Sequence, residues 1–184
     1  MRIIAGQFRG RPLTPVGKGD AGAHLRPTAD RVRESLFSAL NSLGVIEGAR
    51  VLDLFAGTGA LGLEALSRGA ESVTFVENGR VGGGLVAKNI SLLGVGAQTR
   101  LLRMDATRLA ESTAGQHDLV FLDPPYGLGM GEAALTAAAA GSWIAPGALV
   151  VWEESAPQAA PEGYDLHDTR KYGDTHVTLL WREG

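Results

Sequence analysis

Apolar side chains follow a helical period near the start of the chain and a strand-like pattern later. Between residues 30 and 43 they recur at the spacing of one helix face, at Val32, Leu36, Leu40 and Leu43. This spacing predicts a helix that ends at Gly44, with Thr28 as its N-cap. Ahead of it, residues 2–5 predict a short strand, followed by a loop rich in glycine, proline and basic residues.

After Gly48, short apolar runs alternate with helical segments. The runs predict strands at 50–55, 72–76, 99–103, 118–122 and 148–153, and the intervening segments predict helices at 61–68, 80–93, 107–112 and 132–142. Residues 164–172 and 175–181 predict two strands around a Gly173-Asp174 turn. The pattern indicates an α/β fold with a mostly parallel central sheet, helices on both faces and a C-terminal antiparallel hairpin.

A run of three glycines, Gly82-Gly83-Gly84, interrupts the helix expected at 80–93. Each glycine in a helix interior costs about 1 kcal/mol relative to alanine. We therefore expect this helix to begin late, near Leu85, or to have frayed first turns.

The composition excludes several classes of site. The 184 residues suit one domain and include no cysteine, so a disulfide framework, a thiolate nucleophile and a cysteine-based zinc or iron–sulfur site are excluded. The four histidines are scattered, and we expect no metal site. Neither a secretory h-region nor an uninterrupted apolar span is present, so we expect a cytoplasmic protein that does not bind membranes.

Charge is distributed unevenly along the chain. The net charge is -3, yet the first 33 residues hold seven basic and two acidic side chains, a net charge of +5. The remaining residues hold ten basic and 18 acidic side chains, a net charge of -8. We therefore divide the chain into a basic N-terminal extension of strand and loop (1–27) and a main domain (28–184). The basic end predicts an anionic partner, although a solvated arm would give the same pattern.

The segment 51–62 has the sequence of a strand, a glycine turn and a helix start, with Gly57-x-Gly59-x-x-Gly62 in the turn. This spacing also fits a nicotinamide dinucleotide, but Asp53 would repel its pyrophosphate. S-adenosylmethionine (AdoMet), which has a cationic end and no phosphate, would suit that carboxylate. Glu77, at the end of the next strand, could accept both ribose hydroxyls, and Asp105 could accept the adenine amino group. The simpler interpretation is that Asp53 only caps a helix.

The second motif, Asp123-Pro124-Pro125-Tyr126, follows a predicted buried strand. The two prolines fix the backbone and remove two N–H donors. Asp123 and the Pro124 carbonyl could then accept both hydrogens of an exocyclic amine on a nucleobase, while Tyr126 stacks on the base. These groups would position the amine for methylation without acting as a strong base. A strand end followed by a core tyrosine is the alternative.

With these motifs the sequence resembles the class I AdoMet-dependent methyltransferases, and most closely the bacterial 16S rRNA (guanine(966)-N(2))-methyltransferases. The resemblance covers nearly the whole chain and rests on residues 2–11, 25–37, 53–70, 123–126 and 172–175. It implies a Rossmann-like fold and direct methyl transfer from AdoMet, leaving S-adenosylhomocysteine. The implied cofactor contacts are Asp53, Phe55, Gly57, Gly59, Glu77 and Asp105.

The resemblance also implies roles at the substrate side. The amine would be held by Asp123 and Pro124, with Tyr126 on the base, while Thr28 and Arg31 would lie near the methionine end of the cofactor. Phosphates of the RNA would be bound by basic side chains of the N-terminal part, namely Arg2, Arg9, Arg11, Arg26 and Arg31. The expected partner is ribosomal RNA, as a small subunit or an assembly intermediate, and the expected protein is a monomer.

Three other functions remain open at this point. An adenine-N6 methyltransferase acting on DNA or RNA would use the same Asp-Pro-Pro-Tyr site, although the chain shows no obvious target-recognition domain. A nicotinamide-dependent oxidoreductase fits the glycine spacing. A non-catalytic ribosome-assembly factor would need only the binding surfaces.

Overall fold

The computed structural model describes residues 1–17, 25 and 28–184, and within them one seven-stranded sheet forms the centre of the molecule. The strands are β1 (Arg50–Leu54), β2 (Ser72–Val76), β3 (Thr99–Leu102), β4 (His117–Leu122), β5 (Ile144–Glu154), β6 (Tyr164–Tyr172) and β7 (Thr175–Arg182). The helices are α1 (Asp30–Ser42), α2 (Ala60–Ser67), α3 (Arg80–Leu93) and α4 (Met130–Ala140), with short 3-10 helices at Gly96–Gln98 and Ala106–Arg108.

The strand order is β3-β2-β1-β4-β5-β7-β6. The first five strands run parallel, whereas β7 pairs antiparallel with both β5 and β6. The expected Rossmann-like sheet with its C-terminal hairpin is thereby confirmed. Because the chain moves outward in opposite directions from β1 and β4, a crevice opens at the carboxyl ends of these two strands, where such sheets bind ligands.

Both faces of the sheet are apolar, as the uninterrupted hydrophobic runs predict. Val51 and Phe121 belong to the core on one face, with Leu36 and Phe37 of α1. Leu52 and Val120 belong to the core on the other face, with α4. The strands are thus held from both sides, so their carboxyl ends are fixed relative to one another.

The N-terminal segment forms a bridge rather than the strand expected at residues 2–5. Arg2 pairs with Pro12 as an isolated antiparallel bridge, and the buried Ile3 packs into the same core as α1. The main anchor is Glu64 of α2, a fully buried carboxylate that accepts hydrogen bonds from Ile4 N at 2.8 Å and Ala5 N at 3.1 Å. A side-chain acceptor on a helix therefore takes the place of a neighbouring strand. The boundary proposed between residues 27 and 28 stays a prediction.

The start of α1 also differs from the prediction. Ala29, not Thr28, occupies the N-cap position, and no side chain caps the helix. Thr28 instead hydrogen bonds to Glu153 on β5. A tertiary partner has replaced the local capping interaction of the threonine.

The three glycines do not delay α3. The helix begins at Arg80, so Gly82, Gly83 and Gly84 lie in its first two turns, and the first two of them are buried. The expectation of a late start near Leu85 is wrong, because packing against neighbouring side chains compensates for the low helix propensity of glycine.

Candidate active site

A cavity occupies the crevice at the carboxyl ends of β1, β2 and β4. Its lining brings together most of the residues singled out from the sequence: Thr28, Asp53, Phe55, Gly57, Glu77, Asp123, Pro124 and Tyr126. Val16 and Leu25 of the N-terminal part and Met130 of α4 also line it, and sequence reasoning did not identify them. The two sequence motifs, some 70 residues apart, therefore face one space.

Asp53 lies at the floor of this cavity and is almost completely buried. Its Oδ2 accepts a hydrogen bond from Gly62 N at 2.9 Å, near the start of α2. The pKa of Asp53 is raised to about 8, mainly by burial and in part by the charge of Glu77, while the Gly62 hydrogen bond opposes the shift. Asp53 thus does cap a helix, as the simpler interpretation holds, but it also faces the cavity as a buried carboxyl group.

The chain turns sharply where it leaves β1. Phe55 has a φ of 59°, which is uncommon for a bulky residue, and Gly57 has a φ of 60°. Gly59, with a φ of 79°, is the N-cap of α2 and does not line the cavity. The two glycines permit the left-handed turn that carries the backbone across the cavity wall.

Glu77 follows β2 and is 8% exposed. Its Oε2 accepts a hydrogen bond from Gly57 N at 2.8 Å, and its Oε1 accepts one from Gly79 N at 2.8 Å. Each carboxylate oxygen is therefore oriented by a backbone amide and retains a second lone pair. This arrangement fixes a bidentate acceptor at the edge of the cavity.

The Asp123-Pro124-Pro125-Tyr126 segment forms the opposite wall. Asp123 follows β4 and is half-buried, and Pro124 is buried. The Tyr126 hydroxyl donates to Glu153 Oε1 at 3.1 Å, and Thr175 Oγ1 lies 3.0 Å from the phenol oxygen. Burial and the neighbouring carboxylates raise the pKa of Tyr126, so the phenol stays neutral and its ring orientation is fixed.

Two acids at the end of β5 hold this segment, and sequence reasoning missed both. Glu153, 7% exposed, accepts from Tyr126, and its pKa is raised by burial. Glu154, also 7% exposed, accepts from Gly127 N at 3.1 Å through Oε1. Two adjacent acids at the end of an otherwise apolar strand are the sequence signal that could have identified them.

Asp105 is not among the cavity-lining residues. Its Oδ1 accepts from Thr107 N at 2.9 Å and from Thr107 Oγ1 at 2.7 Å, so it caps the short helix Ala106–Arg108. These bonds lower the pKa of Asp105. Its contact with an adenine amino group stays a prediction.

Four of the five arginines assigned to RNA are described by the structure, and none of these four lines the cavity. Arg2, Arg9, Arg11 and Arg31 are exposed, and Arg26 lies outside the described residues. Arg11 donates to Leu92 O at 2.9 Å, and Arg31 lines a separate surface groove between α1 and β6, together with Arg170.

The described part of the chain contains no cluster of three or more acidic or histidine side chains that could hold a metal ion. None of its helices combines the length and the apolar character needed to cross a membrane.

The model of one protein family, Conserved hypothetical protein 95, matches residues 1–181. The chain belongs to this family. Curated relatives include the ribosomal RNA small subunit methyltransferase D of Escherichia coli, which is 39% identical over 186 residues, covering 100% of this chain and 90% of the relative. The protein of the same name from Haemophilus influenzae is 37% identical over 171 residues, covering 90% of this chain and 86% of the relative. The resemblance to bacterial small-subunit rRNA methyltransferases is thereby confirmed.

Solved structures of similar proteins show the same fold. Escherichia coli yhhF, described as a methyltransferase, has a TM-score of 0.85 and 38% identity, covering 100% of this chain and 98% of that chain. Pyrococcus horikoshii PH1948, 20% identical, has a TM-score of 0.72 and covers 94% of each chain, so it supports the fold alone. The match to the Conserved hypothetical protein 95 family, over residues 1–181, includes both the basic N-terminal segment and the sheet.

Proposed function

We propose that this protein transfers a methyl group from AdoMet to the exocyclic N2 amine of a guanine in small-subunit ribosomal RNA. The observation that carries the proposal is the shared cavity, in which Asp53 and Glu77 lie on one side and Asp123-Pro124-Pro125-Tyr126 on the other. The names of the curated relatives support ribosomal RNA of the small subunit as the substrate. Within this proposal the protein acts in the cytoplasm as a monomer, on a small subunit or an assembly intermediate.

The residues on the Asp53 side fit AdoMet. Burial raises the pKa of the Asp53 carboxyl to about 8, and a ligand ammonium group beside it would favour the ionised form. The two oriented oxygens of Glu77 would accept the ribose hydroxyls. When bound, AdoMet supplies an electrophilic methyl group on a sulfonium.

The residues on the Asp123 side suit an amine with a delocalised lone pair. An Asp123 oxygen and the Pro124 carbonyl would accept the two amine hydrogens, turning the nitrogen lone pair toward the methyl group. Asp123 would thereby also hold the proton that the nitrogen must lose. Because Tyr126 is fixed through its hydroxyl, its ring presents a constant face for stacking the base.

A base inside a helix cannot reach Asp123, so the guanine must leave its stack. The surrounding phosphates would then need cationic partners on the protein surface, and the exposed Arg2, Arg9, Arg11 and Arg31 supply them. Arg26 has the same proposed role. Binding to RNA should accordingly weaken as the salt concentration rises.

The experiment that tests the proposal measures transfer of a tritiated methyl group to three acceptors: small subunits lacking the modification, free 16S rRNA and DNA. We expect incorporation into ribosomal RNA with the wild-type protein and none above background with Asp123→Ala. No incorporation into either RNA acceptor, or full activity of Asp123→Ala, would contradict the proposal. Incorporation into DNA alone would favour the adenine-N6 alternative.

A further inference from the structure

The three glycines of α3 are not explained by the chemistry proposed above. Glycine is among the least favourable residues for a helix interior, yet α3 carries three in succession in its first two turns. The three glycines have different surroundings, so the structure shows at which of them a side chain would overlap a neighbouring residue.

Gly82 packs directly against the side chain of Glu77. A Cβ atom built at Gly82 would lie 2.8 Å from Glu77 Cδ and 3.0 Å from Glu77 Cγ, closer than real Cβ contacts. A glutamate side chain is usually flexible enough to move aside. Here its two oxygens are tied to Gly57 N and Gly79 N, so moving the carboxylate would break or lengthen both hydrogen bonds.

We propose that Gly82 is a positioning residue for Glu77: its missing side chain lets α3 lie flush against the carboxylate, which keeps both oxygens in place for the cofactor ribose. This inference rests on the proposed cofactor. Gly79 contributes from the other side, since a Cβ there would lie 2.9 Å from Glu77 Oε1. A side chain at either glycine would therefore overlap the carboxylate in its observed position.

The neighbouring glycines provide matched controls on the same helix. A Cβ at Gly83 would lie 2.7 Å from Arg103 Nη1, the end of an exposed side chain that can swing into solvent. A Cβ at Gly84 would meet nothing within 4 Å. The same Gly-to-Ala change therefore tests three environments while altering helix propensity equally.

The test measures the dissociation constant of S-adenosylhomocysteine by calorimetry for the wild type and the single variants Gly82→Ala, Gly83→Ala and Gly84→Ala. We expect Gly82→Ala to weaken binding about tenfold or more, because hydrogen bonds to a charged group are lost. Gly83→Ala and Gly84→Ala should bind within about twofold of the wild type, and Gly84→Ala should raise Tm by about 2–4 °C. In methyl transfer, Gly82→Ala should raise KM for AdoMet by a similar factor and leave kcat nearly unchanged.

A second variant separates positioning from general damage to the fold. Glu77→Asp shortens the side chain by one methylene, which relieves the overlap created by Gly82→Ala. Glu77→Asp should therefore weaken binding in the wild-type background but cost at least about threefold less in the Gly82→Ala background. Tighter binding by the double variant than the product of the single effects supports the role. If Gly82→Ala alone does not fold, recovery of folding and binding in the double variant supports the role, and failure to recover contradicts it.

Wild-type affinity in Gly82→Ala, or independent effects of the two substitutions, would overturn the positioning role. A wild-type protein that binds no S-adenosylhomocysteine would instead overturn the proposed cofactor, and the role of Gly82 toward it. The two failures are therefore distinguishable in one series of titrations.

Discussion

The two walls of the cavity are built by different means. The first wall lies on the side of β1 and β2, and its carboxylates are held by backbone amides. Gly62 N donates to Asp53, and Gly57 N and Gly79 N donate to Glu77. The second wall lies on the side of β4 and consists of the Asp-Pro-Pro-Tyr segment. Its two prolines have no backbone N–H donor, and the segment is held by side chains of β5 and β7.

This difference matches what each wall would bind in the proposed function. Backbone amides orient acids without neutralising them fully, which suits a ligand with a cationic end and two hydroxyls. The proline segment presents acceptors and an aromatic ring, which suits a neutral amine on a flat base. The C-terminal hairpin, at the far edge of the sheet, reaches the site through Thr175 and so belongs to the second wall.

The largest effect should come from Asp123→Asn, which tests whether the two walls act separately. Replacing one carboxylate oxygen by an amide donor removes an acceptor for the target amine. We expect kcat to fall by about 10²–10³-fold. The dissociation constant of S-adenosylhomocysteine should stay within about twofold of the wild type, and a parallel loss of binding would show that the walls are not independent.

The next largest effect concerns pH and the first wall. With a pKa of about 8, Asp53 is mostly protonated at pH 6 in the free protein, and a bound ammonium group favours its ionised form. Affinity for S-adenosylhomocysteine should therefore rise with pH, approaching tenfold per unit between pH 6 and 8, and level off above the pKa. Calorimetry in two buffers of different ionisation enthalpy should detect proton release at pH 7.

Asp53→Asn is the control for this dependence. It keeps an acceptor for Gly62 N but cannot ionise, so the pH profile between 6 and 8 should become flat and the affinity low. A profile in Asp53→Asn as steep as that of the wild type would assign the dependence to another group.

The smallest effect should come from Tyr126→Phe, which keeps the ring of the second wall but removes its anchor. Glu153 Oε1 and Thr175 Oγ1 each lose a partner, so we expect a loss of about 1 kcal/mol in stability and a three- to tenfold lower kcat. Glu153→Gln retains an acceptor for the phenol and should lose less activity. Methyl-transfer kinetics and thermal unfolding of the two variants measure both effects. Equal kcat values for Tyr126→Phe and the wild type would show that the hydroxyl contacts of Tyr126 do not contribute to catalysis.

Much of the fold could be predicted from the sequence because β1, β2 and β4 are apolar on both faces and α1 has one apolar face. The strand Ser72–Val76 was predicted with its observed bounds, and the helix Arg80–Leu93 was predicted from its apolar spacing, although its glycines wrongly suggested a later start. Errors occurred where a distant side chain replaces a local interaction. Glu64 binds the backbone expected to form a strand at residues 2–5, and Glu153 binds Thr28, which was expected to cap α1.

The cavity could be anticipated in part, since Asp53 lies near the carboxyl end of β1, Glu77 and Asp123 directly follow β2 and β4, and such strand ends meet at one edge. What supports these side chains could not be predicted. The contacts of Glu153 with Tyr126 and of Gly82 with Glu77 depend on how β5 and α3 pack, which no local spacing encodes. From the sequence alone the three glycines only disfavour the start of the helix, whereas the structure places Gly82 against Glu77, a predicted cofactor ligand.

In the proposed function the second wall holds a guanine amine, and the most direct measurement of this role is to identify the methylated nucleoside. Small subunits lacking the modification would be incubated with the protein and AdoMet, and their rRNA digested and analysed by mass spectrometry. We predict N2-methylguanosine at a single position of 16S rRNA, and none with Asp123→Ala. N6-methyladenosine, or RNA that gains no methyl group, would contradict the account.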